Sequence, residues 1–289
     1  MIDVKCDLCG RDDYLVIWDK GAREAAGVLR GTVARDEDGR IQNGRSVICL
    51  NCGLVYVTPR MSDEELDEFY RTQYRELYPI NPEIEDIHAT NAMSVIRQLP
   101  AGIKRMLDVG CSTGKLVDRL SKALDAWGLE PNAEIKHPRI ISERLENYEP
   151  DKPFDLVTML NTLEHLPSPV EALRHLRRLM APEGHLLISV PNLETRMINI
   201  TTDAFMSCAH LYQFTLPVLV ACLMKVGLKP TQYWVLDERI GEKLYVLSEA
   251  GEPQEPKYQP PDVLALVNHL QMMDKVIELK VLMGSWGYR

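Results

Sequence analysis

A chain of 289 residues with 45% hydrophobic content is long enough to bury one large core and a smaller one, which excludes disorder throughout. A formal net charge of −9 excludes recognition of nucleic acid through a general basic surface. No apolar run approaches the ~20 residues that span a bilayer, and Met1-Ile2-Asp3-Val4 does not read as a signal peptide, so a cytoplasmic location is expected.

Residues 1–60 hold four of the seven cysteines as two Cys-x-x-Cys pairs, Cys6/Cys9 and Cys49/Cys52, each followed by glycine. Turn signals, Glu37-Asp38-Gly39 and Asn43-Gly44, lie between them. In a reducing compartment this pattern predicts a zinc ribbon, in which four thiolates close one tetrahedral site and leave no position for substrate. A redox Cys-x-x-Cys needs one pair at a helix start, not two glycine-flanked pairs. The module carries nine Lys plus Arg against nine Asp plus Glu, a neutral balance that disfavours phosphate binding. Cys111, Cys208 and Cys222 show no ligand spacing.

Residues 61–100 read as a helical cap or linker. Ser62-x-x-Glu65 is a capping box opening a helix through about Tyr78, broken by Pro79 and Pro82; a second helix is expected over Ile84–Leu99. Tyr70, Tyr74 and Tyr78 recur at four-residue steps and share one face.

Residues 101–250 form the main domain. A strand over Lys104–Val109 runs into Asp108-Val109-Gly110-Cys111-Ser112-Thr113-Gly114, followed by a helix with Leu116, Val117, Leu120 and Leu124 on one face. A dinucleotide fingerprint needs glycine where Ser112 and Lys115 stand, and a phosphate loop needs Ser or Thr where Leu116 stands. The acidic residue in the turn favours a cationic ligand. The next strand, Ala126–Glu130, ends in a carboxylate suited to accept hydrogen bonds from both hydroxyls of a ribose. A short strand is expected over Arg139–Ile141.

Further strands are expected over Phe154–Leu160 and His185–Val190. Between them Ser168-Pro169-Val170-Glu171 opens a helix to about Met180. Leu216-Pro217 opens another helix, and Tyr233–Leu236 with Lys243–Ser248 reads as a hairpin. Residues 251–289 are a linker and a helix over Asp262–Met283, whose apolar stripe suits intrachain packing or a dimer surface.

The stretch Asp108-x-Gly110-x-Ser112-x-Gly114 resembles the first motif of class I S-adenosylmethionine (SAM)-dependent methyltransferases. The blocks Asn161-Thr162-Leu163-Glu164-His165 and Pro191-Asn192 resemble their fourth and fifth strand ends. The resemblance implies an α/β, Rossmann-like, mostly parallel seven-stranded sheet with helices on both faces, beside the zinc-ribbon module. It implies a cofactor site of Asp108, Gly110, Cys111, Ser112, Gly114, Glu130 and Pro131, with Leu145 in the adenine loop, Asn161 beside the methionine part and Tyr74 as a cover. His165 lies where open parallel sheets bind ligands.

Sugar C-methyltransferases with a similar zinc module carry an acid and a histidine in adjacent positions near Phe205–Thr215. Here the histidine is His210 and the acid's place holds Ala209. His210, then His165, are the candidate bases for methyl transfer to a polar acceptor such as a nucleotide sugar, by O- or C-methylation, in a monomer or homodimer. The competing reading is a silent SAM-fold scaffold whose ribbon recruits a partner. An NAD-dependent oxidoreductase shares Glu130 but not the glycine spacing.

Overall fold

The computed structural model describes residues 2–19, 34–35, 41–42, 45–72, 74–77, 79–194, 210–238 and 241–282. Glu37-Asp38-Gly39, Asn43-Gly44, Tyr78, the segment Phe205–Ala209 with Cys208, and Met283 lie outside the described residues.

The N-terminal module comprises β1 (Tyr14–Asp19), the short pair β2 (Ala34–Arg35) and β3 (Ile41–Gln42), β4 (Arg45–Cys49) and β5 (Val55–Val57). β1 and β5 flank β4, both antiparallel, with Tyr14 opposite Cys49. At each knuckle the glycine N–H closes the turn, Gly10 onto the Cys6 carbonyl at 2.7 Å and Gly53 onto the Cys49 carbonyl at 2.9 Å.

Three helices follow: α1 (Asp63–Thr72), α2 (Tyr74–Leu77) and α3 (Pro82–Ile96). The capping box of α1 forms in both directions, Ser62 N–H onto Glu65 Oε2 and Glu65 N–H onto Ser62 Oγ. The break expected at Pro79 and Pro82 is present, and Pro82 itself opens α3, two residues ahead of the expected Ile84. Asn81 accepts from the N–H groups of Glu83 and Ile84, and proline in the first turn removes a donor that would have had no partner.

The main domain runs β6 (Arg105–Val109), α4 (Lys115–Leu120), β7 (Asp125–Leu129), β8 (Ile140–Ile141) and β9 (Phe154–Leu160). A 3-10 turn (Leu163–His165), α5 (Pro169–Leu179), β10 (Met180–Pro191), β11 (Tyr212–Gln213) and α6 (Leu216–Lys225) come next. The chain then forms β12 (Leu228–Glu238), β13 (Gly241–Ala250) and α7 (Val263–Leu282). Seven strands form one sheet in the order β12-β13-β10-β9-β6-β7-β8, parallel from β10 to β8 and antiparallel across β10, β13 and β12. The strand order reverses between β6 and β9, so a crevice opens outside their carboxyl ends.

Alternation along the strands separates two apolar faces. Met106, Leu156, Leu187, Tyr245 and Leu247 pack with Ala89, Ala92 and Val95 of α3 and Leu116, Val117 and Leu120 of α4. Leu107, Val109, Val157, Met159, Leu186 and Ile188 pack with α5 and α6 on the other side. That second core is continuous with the N-terminal module, because Cys6, Leu8, Cys49, Leu54 and Tyr56 belong to it.

The joint is also hydrogen-bonded. β11 adds to the module's sheet, placing Tyr212 opposite Tyr56 and Gln213 opposite Val55. No helix among the described residues is long and apolar enough to cross a membrane.

Candidate active site

The glycine turn leaves β6 in left-handed backbone at Gly110 (φ 73°), Ser112 (φ 49°) and Gly114 (φ 83°). A side chain at Gly110 would also stand 2.4 Å from Thr162 Oγ1, so no larger residue fits without displacing the loop after β9. Ser112 and Asn161 are the non-glycine residues with positive φ among those described. Both sit at carboxyl ends of adjacent strands, where strain of about 1–3 kcal/mol each is characteristic of a binding site.

Asp108 is buried near the end of β6 and accepts a 2.6 Å hydrogen bond from Thr158 Oγ1 on the neighbouring strand. Burial pushes its carboxyl up to about 7; Thr158 lowers it and nearby Glu130 raises it. Glu130, at the end of β7, accepts from Ser112 N–H at 3.0 Å and Asn132 N–H at 3.2 Å. It thereby ties the glycine turn to the next strand, and burial raises its carboxyl as well.

Cys111 is buried on the α3–α4 face, its Sγ against the position of Gly128. Burial raises its thiol above the ordinary range. Pro131 is exposed beside Glu130. Leu145 lies in the second core, and its neighbour Arg144 pairs with Asp67 of α1 at 2.5 Å, holding this loop against the cap. The amide nitrogen and oxygen of Asn161 are both buried without a hydrogen-bond partner. Orphaned groups of this kind fit a polar ligand that supplies the missing bonds.

The structure brings His165 and His210 together. Their ring centroids are 4.7 Å apart at 78°, and His210 Nε2 lies 3.9 Å from Glu164 Oε1. Position 209 holds alanine, and the carboxylate that stands beside His210 is that of Glu164 from the 3-10 turn. Leu211 N–H donates to the Glu164 carbonyl at 2.8 Å and fixes the two segments side by side. Glu164 is fully buried, and burial pushes its carboxyl up to about 7. Burial, then His165 and Lys243, holds His210 well below the usual histidine value, so its imidazole is neutral near pH 7.

Tyr74 stands beside Arg75, whose guanidinium lies 5.7 Å from the centre of its ring. It packs against Tyr70 at 5.0 Å and His165 at 6.1 Å, on the histidine side of the crevice. Arg75 reaches the turn, donating to Ser112 Oγ at 3.1 Å, while Glu85 of α3 accepts from Thr113 Oγ1 at 2.6 Å. Neither residue carries a local sequence signal. Lys243 and Glu238 are also buried nearby, and Lys243 acts by charge on both Glu164 and Glu238. A lysine sharing the strand parity of the core residues Tyr245 and Leu247 is the signal that marks it.

At the N-terminal knuckles the four sulfurs of Cys6, Cys9, Cys49 and Cys52 lie within 4.8 Å of one another. The pairs Cys6–Cys52 and Cys9–Cys49 approach to 3.4 and 3.5 Å. Sulfurs at the corners of a tetrahedron with ~2.3 Å bonds stand about 3.8 Å apart, so the residues fit one thiophilic cation. The first knuckle also reaches the main domain. Asp7 accepts from Ser168 Oγ at 2.7 Å and from Val170 N–H at 2.8 Å, capping α5 from outside. Ser168 accepts from Glu171 N–H as its sequence predicts, while the Glu171 carboxylate pairs with Arg174.

A family described as a methyltransferase domain matches residues 65–233. A ubiquinone biosynthesis O-methyltransferase from Ralstonia nicotianae is 29% identical over 144 residues, covering 43% of this chain and 60% of that protein. A Burkholderia thailandensis 1,6-didemethyltoxoflavin-N1-methyltransferase, solved with S-adenosylhomocysteine and 1,6-didemethyltoxoflavin, superposes with a TM-score of 0.55 at 16% identity over 69% of this chain and 96% of that one. A magnesium protoporphyrin IX methyltransferase from Synechocystis PCC 6803 with bound SAM gives 0.50 at 16% identity, over 68% and 100%. With the family match spanning more than half its length, the chain belongs to the methyltransferase-domain family.

Proposed function

We propose that the protein is a SAM-dependent methyltransferase acting on the hydroxyl of a polar small molecule. The observation that carries this reading is the juxtaposition, in one crevice, of the strained glycine turn with Glu130 and Asn161, and of the Glu164–His165–His210 cluster. Family membership and the two structural neighbours, solved with SAM and with S-adenosylhomocysteine, support the cofactor. Bound SAM supplies a methyl group already activated by a sulfonium. The chain's task is to hold an acceptor oxygen in line with it and remove a proton.

The backbone of Gly110–Gly114 and the Asn161 amide receive the amino-acid end, while the lone pairs of Glu130 not used by Ser112 and Asn132 accept from the ribose. His210 takes the acceptor proton. The neutral imidazole is the form that takes up a proton, and Glu164, 3.9 Å away, offsets the charge that forms. Tyr70 and Tyr74 line the acceptor side.

The relative from Ralstonia, an O-methyltransferase by name, supports hydroxyl methylation. The sulfur cluster supports one structural zinc, with a nucleotide sugar or glycan precursor as the acceptor class suggested by the ribbon. Calorimetry tests the cofactor half: micromolar binding of SAM and S-adenosylhomocysteine is expected, and tight binding of NAD without SAM would contradict it. Metal analysis is expected to find one zinc per chain.

A further inference from the structure

The acceptor side of the crevice carries a feature that proton transfer alone does not use. One ligand atom from each of Glu164, His165 and His210 lies within 4.8 Å of the others. Both Glu164 oxygens are buried without a hydrogen bond, and the 3.9 Å approach of His210 Nε2 is too long to be one. Leaving a buried carboxylate in this state is costly unless a cation or donor arrives. Nearby Lys243 does not fill that role alone, because it also serves Glu238. Glu238 in turn is held by His88 Nε2 at 2.9 Å and Tyr245 OH at 2.9 Å. Among the described residues, Glu164 is the carboxylate of this cluster with neither oxygen hydrogen-bonded.

We infer that Glu164, His165 and His210 bind a divalent transition-metal ion. Two imidazoles and one carboxylate form a facial set that leaves positions open, and the donor mix suits manganese, iron or cobalt better than calcium or magnesium. An ion with ~2.1 Å bonds separates its ligands by about 3.0–3.4 Å, so modest side-chain rotation closes the cluster on it. The scaffold is ready for this, since Glu164 and His165 share one 3-10 turn and Leu211 N–H binds the Glu164 carbonyl at 2.8 Å.

The inference deepens the methyltransferase reading and rests on it for the reaction. The open positions take an acceptor with two neighbouring oxygens, such as adjacent hydroxyls or a hydroxyl beside a carbonyl. Coordination lowers the hydroxyl pKa and its proton leaves to water. The oxygen lone pair forms the new O–CH3 bond, the C–S bonding pair stays on sulfur, and the products are a methyl ether and a neutral thioether. The ion then replaces His210 as the activating group.

The test uses the full chain with its cysteine site filled by zinc, because manganese prefers oxygen and nitrogen donors to thiolate. Electron paramagnetic resonance during Mn2+ titration is expected to find one site per chain. Glu164→Gln and His210→Asn should each weaken it at least about tenfold, with zinc content and circular dichroism unchanged. Wild-type protein that binds no Mn2+ below millimolar concentration, or Glu164→Gln that binds it equally well, would overturn the inference. Methyl transfer by wild type without a second metal would overturn it too and leave the methyltransferase reading standing. Mn2+ binding lost in both variants, without methyl transfer to any acceptor, would uphold the metal site and defeat that reading.

Discussion

His210 Nε2 stands 3.9 Å from Glu164 Oε1, and the N–H of the next residue, Leu211, donates to the Glu164 carbonyl. The acid and the imidazole thus come from two segments joined only by the fold. Removing either should impair the chemical step and not cofactor capture. His210→Ala and Glu164→Gln are each expected to lower kcat by about 10²–10⁴-fold, with SAM affinity within about twofold of wild type by calorimetry. Unchanged kcat in both would remove this pair from the mechanism.

Asp108 sets a pH dependence whose sign follows from its burial. Its carboxyl rises to about 7 in the folded protein, so between the ordinary carboxylate range and pH 7 the folded state holds a proton that the unfolded chain has lost. Stability of the cofactor-free protein should therefore fall as pH rises from about 4 to 7 and level off above that. Affinity for the cationic cofactor should move the opposite way, increasing as Asp108 ionises. Asp108→Asn is expected to flatten the stability slope from this residue and weaken SAM binding by about tenfold or more, read by thermal melts and calorimetry across pH 5–9.

Gly110→Ala tests the turn by sterics alone. The new methyl group meets Thr162 at 2.4 Å in a left-handed backbone, and its expected cost is about 1–3 kcal/mol in stability together with loss of measurable SAM binding. Gly10→Ala, also in left-handed backbone but with nothing within 4 Å, isolates the backbone cost from the clash.

Asp7 joins the sulfur cluster to α5, the helix that follows the Glu164–His165 turn. Asp7→Ala should lower stability by about 1–3 kcal/mol, since it uncovers the Val170 N–H and the Ser168 hydroxyl. It should also reduce kcat while leaving the zinc content at one per chain. If kcat holds while stability falls, the knuckle supports the fold without positioning the site.

How much of this was legible in the sequence depends on how local each feature is. The β6-turn-α4 unit, Glu130 at the end of β7, the capping box of α1 and the two knuckles are written within a few residues by periodicity, glycine spacing and cap chemistry, and they stand where expected. The break between α2 and α3 falls where the two prolines predict it, while the start of α3 at Pro82, two residues ahead of Ile84, is marked by the Asn81 cap. β12 extends beyond Tyr233–Leu236 because its solvent-facing residues, among them Lys229 and Gln232, carry no apolar alternation. Glu164 facing His210, Arg75 on Ser112, Asp7 on α5 and β11 on β5 all join distant segments, and no local pattern encodes such contacts.

The most direct test of the account is methyl transfer itself. Purified protein with SAM labelled in its methyl group is incubated with nucleotide sugars, glycan precursors and acceptors carrying adjacent hydroxyls, and the products are read by mass spectrometry. The account predicts an acceptor gaining one labelled methyl group on oxygen, with an equal amount of S-adenosylhomocysteine, and loss of both in His210→Ala. Tight SAM binding without transfer to any acceptor, or transfer undiminished in His210→Ala and Glu164→Gln, would contradict it.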